Sequence, residues 1–229
     1  MGLLAKIFSN ASDSEFKLAQ DLVTIAIADG EISEAESDMI NKICHNEGME
    51  GDVLEEYMHG FDGNATCDVF DNRKEKILYL KKLIRVMAVD GESSHMEIYI
   101  LEIIAARLGL SYMEVLATVL STATHANFPG DIGGKALNSF IHNVVDPKGK
   151  SLVNNRNNIA TLFDIMAENT PVYQNREQDK VAFIEAMNHA THLLSENTIL
   201  MDEFRMTGID FETVLMDERE QAILRWTER

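Results

Sequence analysis

Carboxylates on two short turns are the residues of this chain whose types and spacing best suit chemistry. Ala28-Asp29-Gly30-Glu31-Ile32-Ser33 is followed by Glu36, and 61 residues later Val89-Asp90-Gly91-Glu92-Ser93-Ser94 is followed by Glu97. Against the calcium-loop pattern D-x-[DN]-x-[DN]-G-x5-E, each turn supplies the second half. Asp29 and Asp90 take loop position 5, the glycines position 6, Ser33 and Ser94 position 9, and Glu36 and Glu97 position 12. The first half is missing: positions 1 and 3 are Ile25 and Ile27 in one copy, Val86 and Ala88 in the other. Calcium wants about six to eight oxygens, so a true EF-hand is excluded.

The two turns could still act jointly. Lying side by side, they would gather Asp29, Glu31, Glu36, Asp90, Glu92 and Glu97 into one cluster. Such crowding of like charge favours an occupant of opposite sign: Ca2+ or another divalent cation, or a basic protein surface. A purely structural account stands beside this one. Glu36 and Glu97 are third residues of Ser-x-x-Glu capping boxes, where hydroxyl and carboxylate satisfy free amides. Asp29 and Asp90 fit that account less well, because an acid at a helix C-terminus meets the negative end of the helix dipole.

Other constellations carry less. Glu185, His189, His192 and Glu196 form one helical stripe that could ligate a metal, but it lies opposite the apolar stripe of Phe183, Met187, Ala190 and Leu194 and should face water. Glu56–His59 and Glu92–His95 match the Glu-x-x-His pairs of di-iron bundles and define an alternative, a metal-dependent hydrolase or oxidase. Gly130-Asp-Ile-Gly-Gly-Lys-Ala136 has Pro129 where a phosphate loop begins with glycine, and Ala136 where that loop has its hydroxyl. No Gly-x-Ser-x-Gly elbow is present, and no catalytic residue is expected. Cys44 and Cys67 form no C-x-x-C pair.

The elements that must hold the turns are helices, and the expected class is all-α. Phe16, Ala19, Val23 and Ala26 map at the same offset onto Ile77, Leu80, Ile84 and Met87, and Ile40, Ile43 and Gly48 onto Leu101, Ile104 and Gly109. Apolar residues at i, i+3, i+7 and i+10 make one stripe of an amphipathic helix. Two tandem helix-turn-helix units are therefore expected over 13–60 and 72–123. Helices are read over 13–29, 34–47, 72–90, 95–108 and 112–123, with a short one from about 53. Ser33, Ser94 and Ser111 head capping boxes, while Gly48-Met49 and Gly109-Leu110 suit left-handed C-terminal caps. After a break at Asn127-Phe-Pro-Gly130, further helices are expected near 133–145, 156–168, 177–196 and 210–226. The expected division is a helical domain at 1–128 and an accessory helical region at 129–229. An adaptor with its working surface in 129–229 is the alternative function.

At the doubled turn the chain resembles the TerB-like family (tellurite-resistance protein B). The opening Met-Gly-Leu-Leu-Ala-Lys-Ile-Phe is similar to that family's start, as is the helix running into Ile27-Ala28-Asp29-Gly30-Glu31-Ile32-Ser33. Met87-Ala88-Val89-Asp90-Gly91-Glu92 and Arg107-Leu108-Gly109-Leu110-Ser111 match the second unit. The likeness covers about residues 1–125. It implies a helical bundle of two such units and a bacterial, cytoplasmic, non-enzymatic stress-response protein. It also implies an acidic surface for divalent cations, with links to membrane-associated partners. Carried over residue by residue, the ligands would be Asp29, Glu36, Asp90 and Glu97, with Glu31 and Glu92 beside them. The family's module also occurs in J-domain co-chaperones, but no His-Pro-Asp tripeptide is present here.

Charge agrees with an acidic surface. The net charge is −18, and residues 1–125 hold 22 acidic against 10 basic groups. A polyanion repels phosphate backbones, so nucleic acid is not an expected partner. No apolar run reaches the ~18–20 residues of a membrane span, and Lys6 interrupts the opening too soon for a secretory signal. A cytoplasmic location is expected.

Overall fold

The computed structural model describes residues 13–49, 54, 70, 72–124, 132–143, 156–170 and 176–228. Among them are ten helices and no strand: α1 Asp13–Ala26, α2 Glu34–Asn46, α3 Arg73–Met87, α4 His95–Arg107, α5 Tyr112–Ala123, α6 Ile132–Asn143, α7 Arg156–Asn169, α8 Arg176–Ser195, α9 Thr198–Thr207 and α10 Phe211–Thr227. The all-α class is as expected. Of the short helix read from about residue 53 only Leu54 is described, and it is helical; Glu56, His59 and Cys67 lie outside the described residues. No described helix is long and apolar enough to cross a membrane.

The chain divides into two compact units, Met1–Leu110 and Ser111–Arg229. The boundary thus falls before the one expected at 128/129, and α5 goes with the second unit. α5 is buried at every position except Tyr112 and Ser121. A helix that is apolar nearly all round belongs in the middle of a bundle, and α5 packs on α6, α7 and α8. Its capping box is as the sequence indicated: the Ser111 N–H donates to Glu114 Oε2 at 2.7 Å.

In the first unit, the repeat's apolar stripes meet. Ala19, Val23, Ala26, Ile40 and Ile43 are buried, and so are Ile77, Leu80, Ile84, Met87, Leu101 and Ile104. Ile25 and Val86, the residues that stand where a calcium loop needs oxygen, are wholly enclosed in this core. The Tyr79 hydroxyl donates to Asp21 Oδ2 at 2.6 Å and approaches the Lys17 carbonyl at 3.5 Å, sequence separations of 58 and 62. Tyr79 thus sits beside residues 17–21. The turns that follow the two helices act on each other, Asp90 on Glu36 and Asp29 on Glu97, so α1 and α3 run the same way and release their turns at the same end. α1 also packs on α4 as α3 packs on α2, the contact pattern of two copies related by an approximate two-fold.

Both repeats of the first unit end their second helix as the sequence suggests. Gly48 and Gly109 have φ of 89° and 71°, a left-handed conformation that glycine adopts without a Cβ clash. The Met49 N–H then reaches the Cys44 carbonyl and the Leu110 N–H the Ala105 carbonyl, at 3.0 and 2.9 Å.

In the second unit, α7 and α10 are also parallel. Arg156 pairs with Asp217 and Glu218, and eight residues further along each helix Arg225 pairs with Asp164. α8 lies against α10, with Phe183 stacked on Trp226 at 4.4 Å between ring centres. α9 was not anticipated from sequence. Its signals were present: Asn197 caps it by accepting the Leu200 N–H, and Gly208 closes it at φ 74°. Gly133, in the stretch that superficially resembled a phosphate loop, has a packing role. A Cβ there would strike the Ala123 carbonyl at the end of α5.

Candidate paired carboxyl site

Each acidic turn is built locally. α1 ends at Ala26, and the Gly30 N–H reaches back to the Ile27 carbonyl at 2.9 Å; in the second copy the Gly91 N–H reaches Ala88 at 3.1 Å. Gly30 and Gly91 take φ of 99° and 86°, reversing the chain where a side chain would be strained. Asp29 Oδ1 then accepts the Glu31 N–H at 3.1 Å, and Asp90 Oδ1 the Glu92 N–H at 2.9 Å. These are Asx turns, in which a short acid satisfies the amide two residues on. The aspartates therefore have a local reason to stand at unfavourable helix ends.

The second half of each turn is a reciprocal cap. The Ser33 N–H donates to Glu36 Oε2 at 2.8 Å while Ser33 Oγ accepts the Glu36 N–H at 3.2 Å. Ser94 and Glu97 repeat this at 2.6 and 3.2 Å. The copies differ at Ser93, which stands where the first has Ile32. Its buried hydroxyl lies 3.5 Å from the Met87 carbonyl.

The folded first unit brings the two caps together. Glu36 and Glu97 are only 6% and 4% exposed, and each carboxyl acts electrostatically on the other. Burial pushes both upward, with Glu97 raised to about 8. The electrostatics cross over: Asp90 of the second turn raises Glu36, and Asp29 of the first raises Glu97. Backbone and hydroxyl bonds from Ser33 and Ser94 oppose these shifts without cancelling them.

Four of the six expected residues thus converge: Asp29, Glu36, Asp90 and Glu97. Glu31 and Glu92 are exposed on their own turns. Among the described residues, no group of three or more His, Cys, Asp or Glu is placed to hold a metal ion. The six-carboxylate cation cage expected from sequence is not assembled. What the fold builds is a buried carboxyl pair, with Asp29 and Asp90 exposed beside it. The reason is local, because each aspartate oxygen and each Oε2 is already turned toward its own backbone amide.

The remaining candidates resolve simply. Glu185, His192 and Glu196 are exposed and His189 half-buried, so that stripe is a solvated face. Glu92 and His95 are both exposed on the capped turn. Cys44 is buried and its thiol pushed up to about 12, a structural cysteine with little thiolate. Sequence reasoning missed the buried Asp21–Tyr79 bond between α1 and α3. Its one signal was an acid set among Leu18, Leu22 and Ile25, a second apolar face of α1 opposite the stripe of Ala19, Val23 and Ala26.

Comparison with protein-family models, curated proteins and solved structures finds no match for this chain.

Proposed function

We propose that this chain is a non-enzymatic, TerB-like acidic module, of the stress-response kind associated with tellurite resistance, that binds a basic protein surface through its paired turns. The observation that carries this reading is the convergence of the two turns, with Glu36 against Glu97 and Asp29 and Asp90 crossing between copies. Exposed Asp29, Glu31, Asp90 and Glu92 add a ring of negative charge, and the acidic excess of residues 1–125 supports the same partner chemistry. A basic surface is favoured over a divalent cation because a cation needs converging ligands, whereas lysines and arginines can meet carboxylates one by one.

The test is calorimetric titration of a lysine- and arginine-rich peptide into the full chain. Binding should weaken with salt and be lost in Asp29→Asn/Asp90→Asn, while Asp202→Asn/Glu212→Gln, on exposed sites of the second unit, should leave it intact. Equal loss in both variants would reduce the effect to net charge and sink the reading. Stoichiometric calcium uptake that disappears in Asp29→Asn/Asp90→Asn would replace the basic partner with a cation.

A second reading, an adaptor surface in 129–229, draws on exposed apolar residues of the second unit. Met206 is 88% exposed, and Met201, Ile209 and Met216 are exposed with it. Methionine-rich surfaces of this kind accommodate partners of varied shape. A partner lost in Met206→Glu but retained in Asp29→Asn/Asp90→Asn would favour the adaptor.

A further inference from the structure

We propose that the outward face of α4 pairs with the same face of a second copy of this chain, the two helices running antiparallel.

The duplication supplies its own reference for this face. At the 61-residue offset, Ala35, Asp38, Lys42 and His45 of α2 correspond to Met96, Tyr99, Ile103 and Ala106 of α4. Each set is spaced i, i+3, i+7 and i+10, one stripe of a helix. In α2 the stripe lies opposite the buried Ile40, Ile43 and Cys44, and Asp38, Lys42 and His45 make it an ordinary solvated face. In α4 it lies opposite the buried Ile98, Leu101, Ile104 and Ala105. Yet Met96 and Tyr99 are 46% and 45% exposed, Ala106 is exposed and Ile103 is half-buried. α4 is thus apolar on two opposite sides, and the core of the first unit covers one. A helix apolar all round ordinarily has neighbours all round. The fold itself does not demand this second stripe, because α2 fills the matching place with an acid, a lysine and a histidine.

Charge at the two ends of α4 selects the occupant and its direction. The turn entering α4 exposes Asp90 and Glu92, and its last turn exposes Arg107. A second α4 laid antiparallel brings each Arg107 toward the other copy's acidic turn and each apolar stripe onto its like. Such a two-fold contact is self-complementary, and the opposed helix dipoles agree with it. A parallel pairing would set acid on acid and arginine on arginine. A strongly basic partner would suit the turns, but not a stripe of Met96, Tyr99 and Ile103. Methionine and aromatic residues are instead characteristic of interface centres. The 13 residues of α4 span only about 20 Å, so the contact is small and its dissociation constant should be on the order of 10–100 μM. This pairing does not depend on the basic partner proposed above, and a failed peptide titration would leave it standing.

The test is sedimentation velocity of the full chain over a concentration series that brackets this range. Peroxide oxidation of Met96, read by mass spectrometry, is followed at both ends of the series. The chain should pass from monomer to dimer, with Met96 oxidising more slowly in the dimer. Tyr99→Asp/Ile103→Lys writes the α2 residues into the matching places of α4, so the helix should persist by circular dichroism. Its dissociation constant should rise about tenfold or more, while Met206→Glu in the second unit should leave association unchanged. Arg107→Glu should weaken the dimer about threefold, and adding Glu92→Arg should restore it, since exchanged charges again meet their opposites. A chain monomeric throughout the series, or a dimer indifferent to Tyr99→Asp/Ile103→Lys, would overturn the proposal. Met96 protected in the monomer would assign the stripe to another segment of the same chain and overturn it equally. Failure of Glu92→Arg to rescue Arg107→Glu would refute the antiparallel arrangement.

Discussion

Glu218 of α10 and Glu97 of α4 are buried almost equally, at 8% and 4% exposure, yet they meet opposite neighbours. Glu218 faces the Arg156 guanidinium at 2.5 Å, with Asp217 on the same arginine and Arg225 bound to Asp164 two turns along. Glu97 faces Glu36, with Asp29 beyond it. A carboxyl withdrawn from water needs either a cation or a proton. The second unit supplies arginines, and those arginines register α7 against α10. The first unit supplies a second carboxyl, and burial raises Glu97 to about 8.

The largest expected effect tests whether the two regions are separate at all. Leu80→Ala and Leu215→Ala each empty a fully buried position, one per unit, and should each cost about 2–5 kcal/mol in urea denaturation. Each should shift its own unit's transition, followed by hydrogen exchange. Were either variant to shift both transitions equally, the comparison would lose its meaning.

A smaller effect sharpens the contrast in pH. Wild-type stability of the first unit should fall by up to about 1.4 kcal/mol for each pH unit between 4.5 and about 8, and Glu97→Gln should remove that slope. Urea midpoints collected across this range check it. A slope located instead in the second unit would reverse the assignment.

Smaller again, Ser33→Ala and Ser94→Ala each delete an N-cap and should cost about 1 kcal/mol, measured from the same midpoints. They should also raise the glutamates they cap, since the lost hydroxyl bonds favour the charged form. The least effect is expected from Arg225→Gln. Arg225 and Asp164 are both about half exposed, so thermal denaturation should show less than about 1 kcal/mol, diminishing with salt.

Much of the fold was legible because its signals are local. The 61-residue repeat, the serine caps at 33, 94 and 111, and the glycines at 48 and 109 all act within one helical turn of themselves, and the helices begin and end near them. α9 was legible too, in Asn197 and Gly208, but its ten residues lie between two longer helices and no helix was expected there. The site was legible only in part. From sequence all six acids were candidates, and Glu36 and Glu97 had a structural account as caps that fitted Asp29 and Asp90 less well. The fold gives Asp29 and Asp90 a local duty in Asx turns, and places Glu36 and Glu97 where a cap alone would not require them.

By itself the sequence determined the helices, their caps, the duplication and the identity of every acid on the two turns, because these follow from residue type and from neighbours three or four positions away. Tertiary structure alone decided that α1 and α3 run parallel, that the turns emerge together, and that α5 joins the second unit. It also decided that two capping glutamates become one buried pair. Desolvation and like-charge proximity depend on contacts across the repeat, between residues 61 positions apart, and no local pattern encodes them.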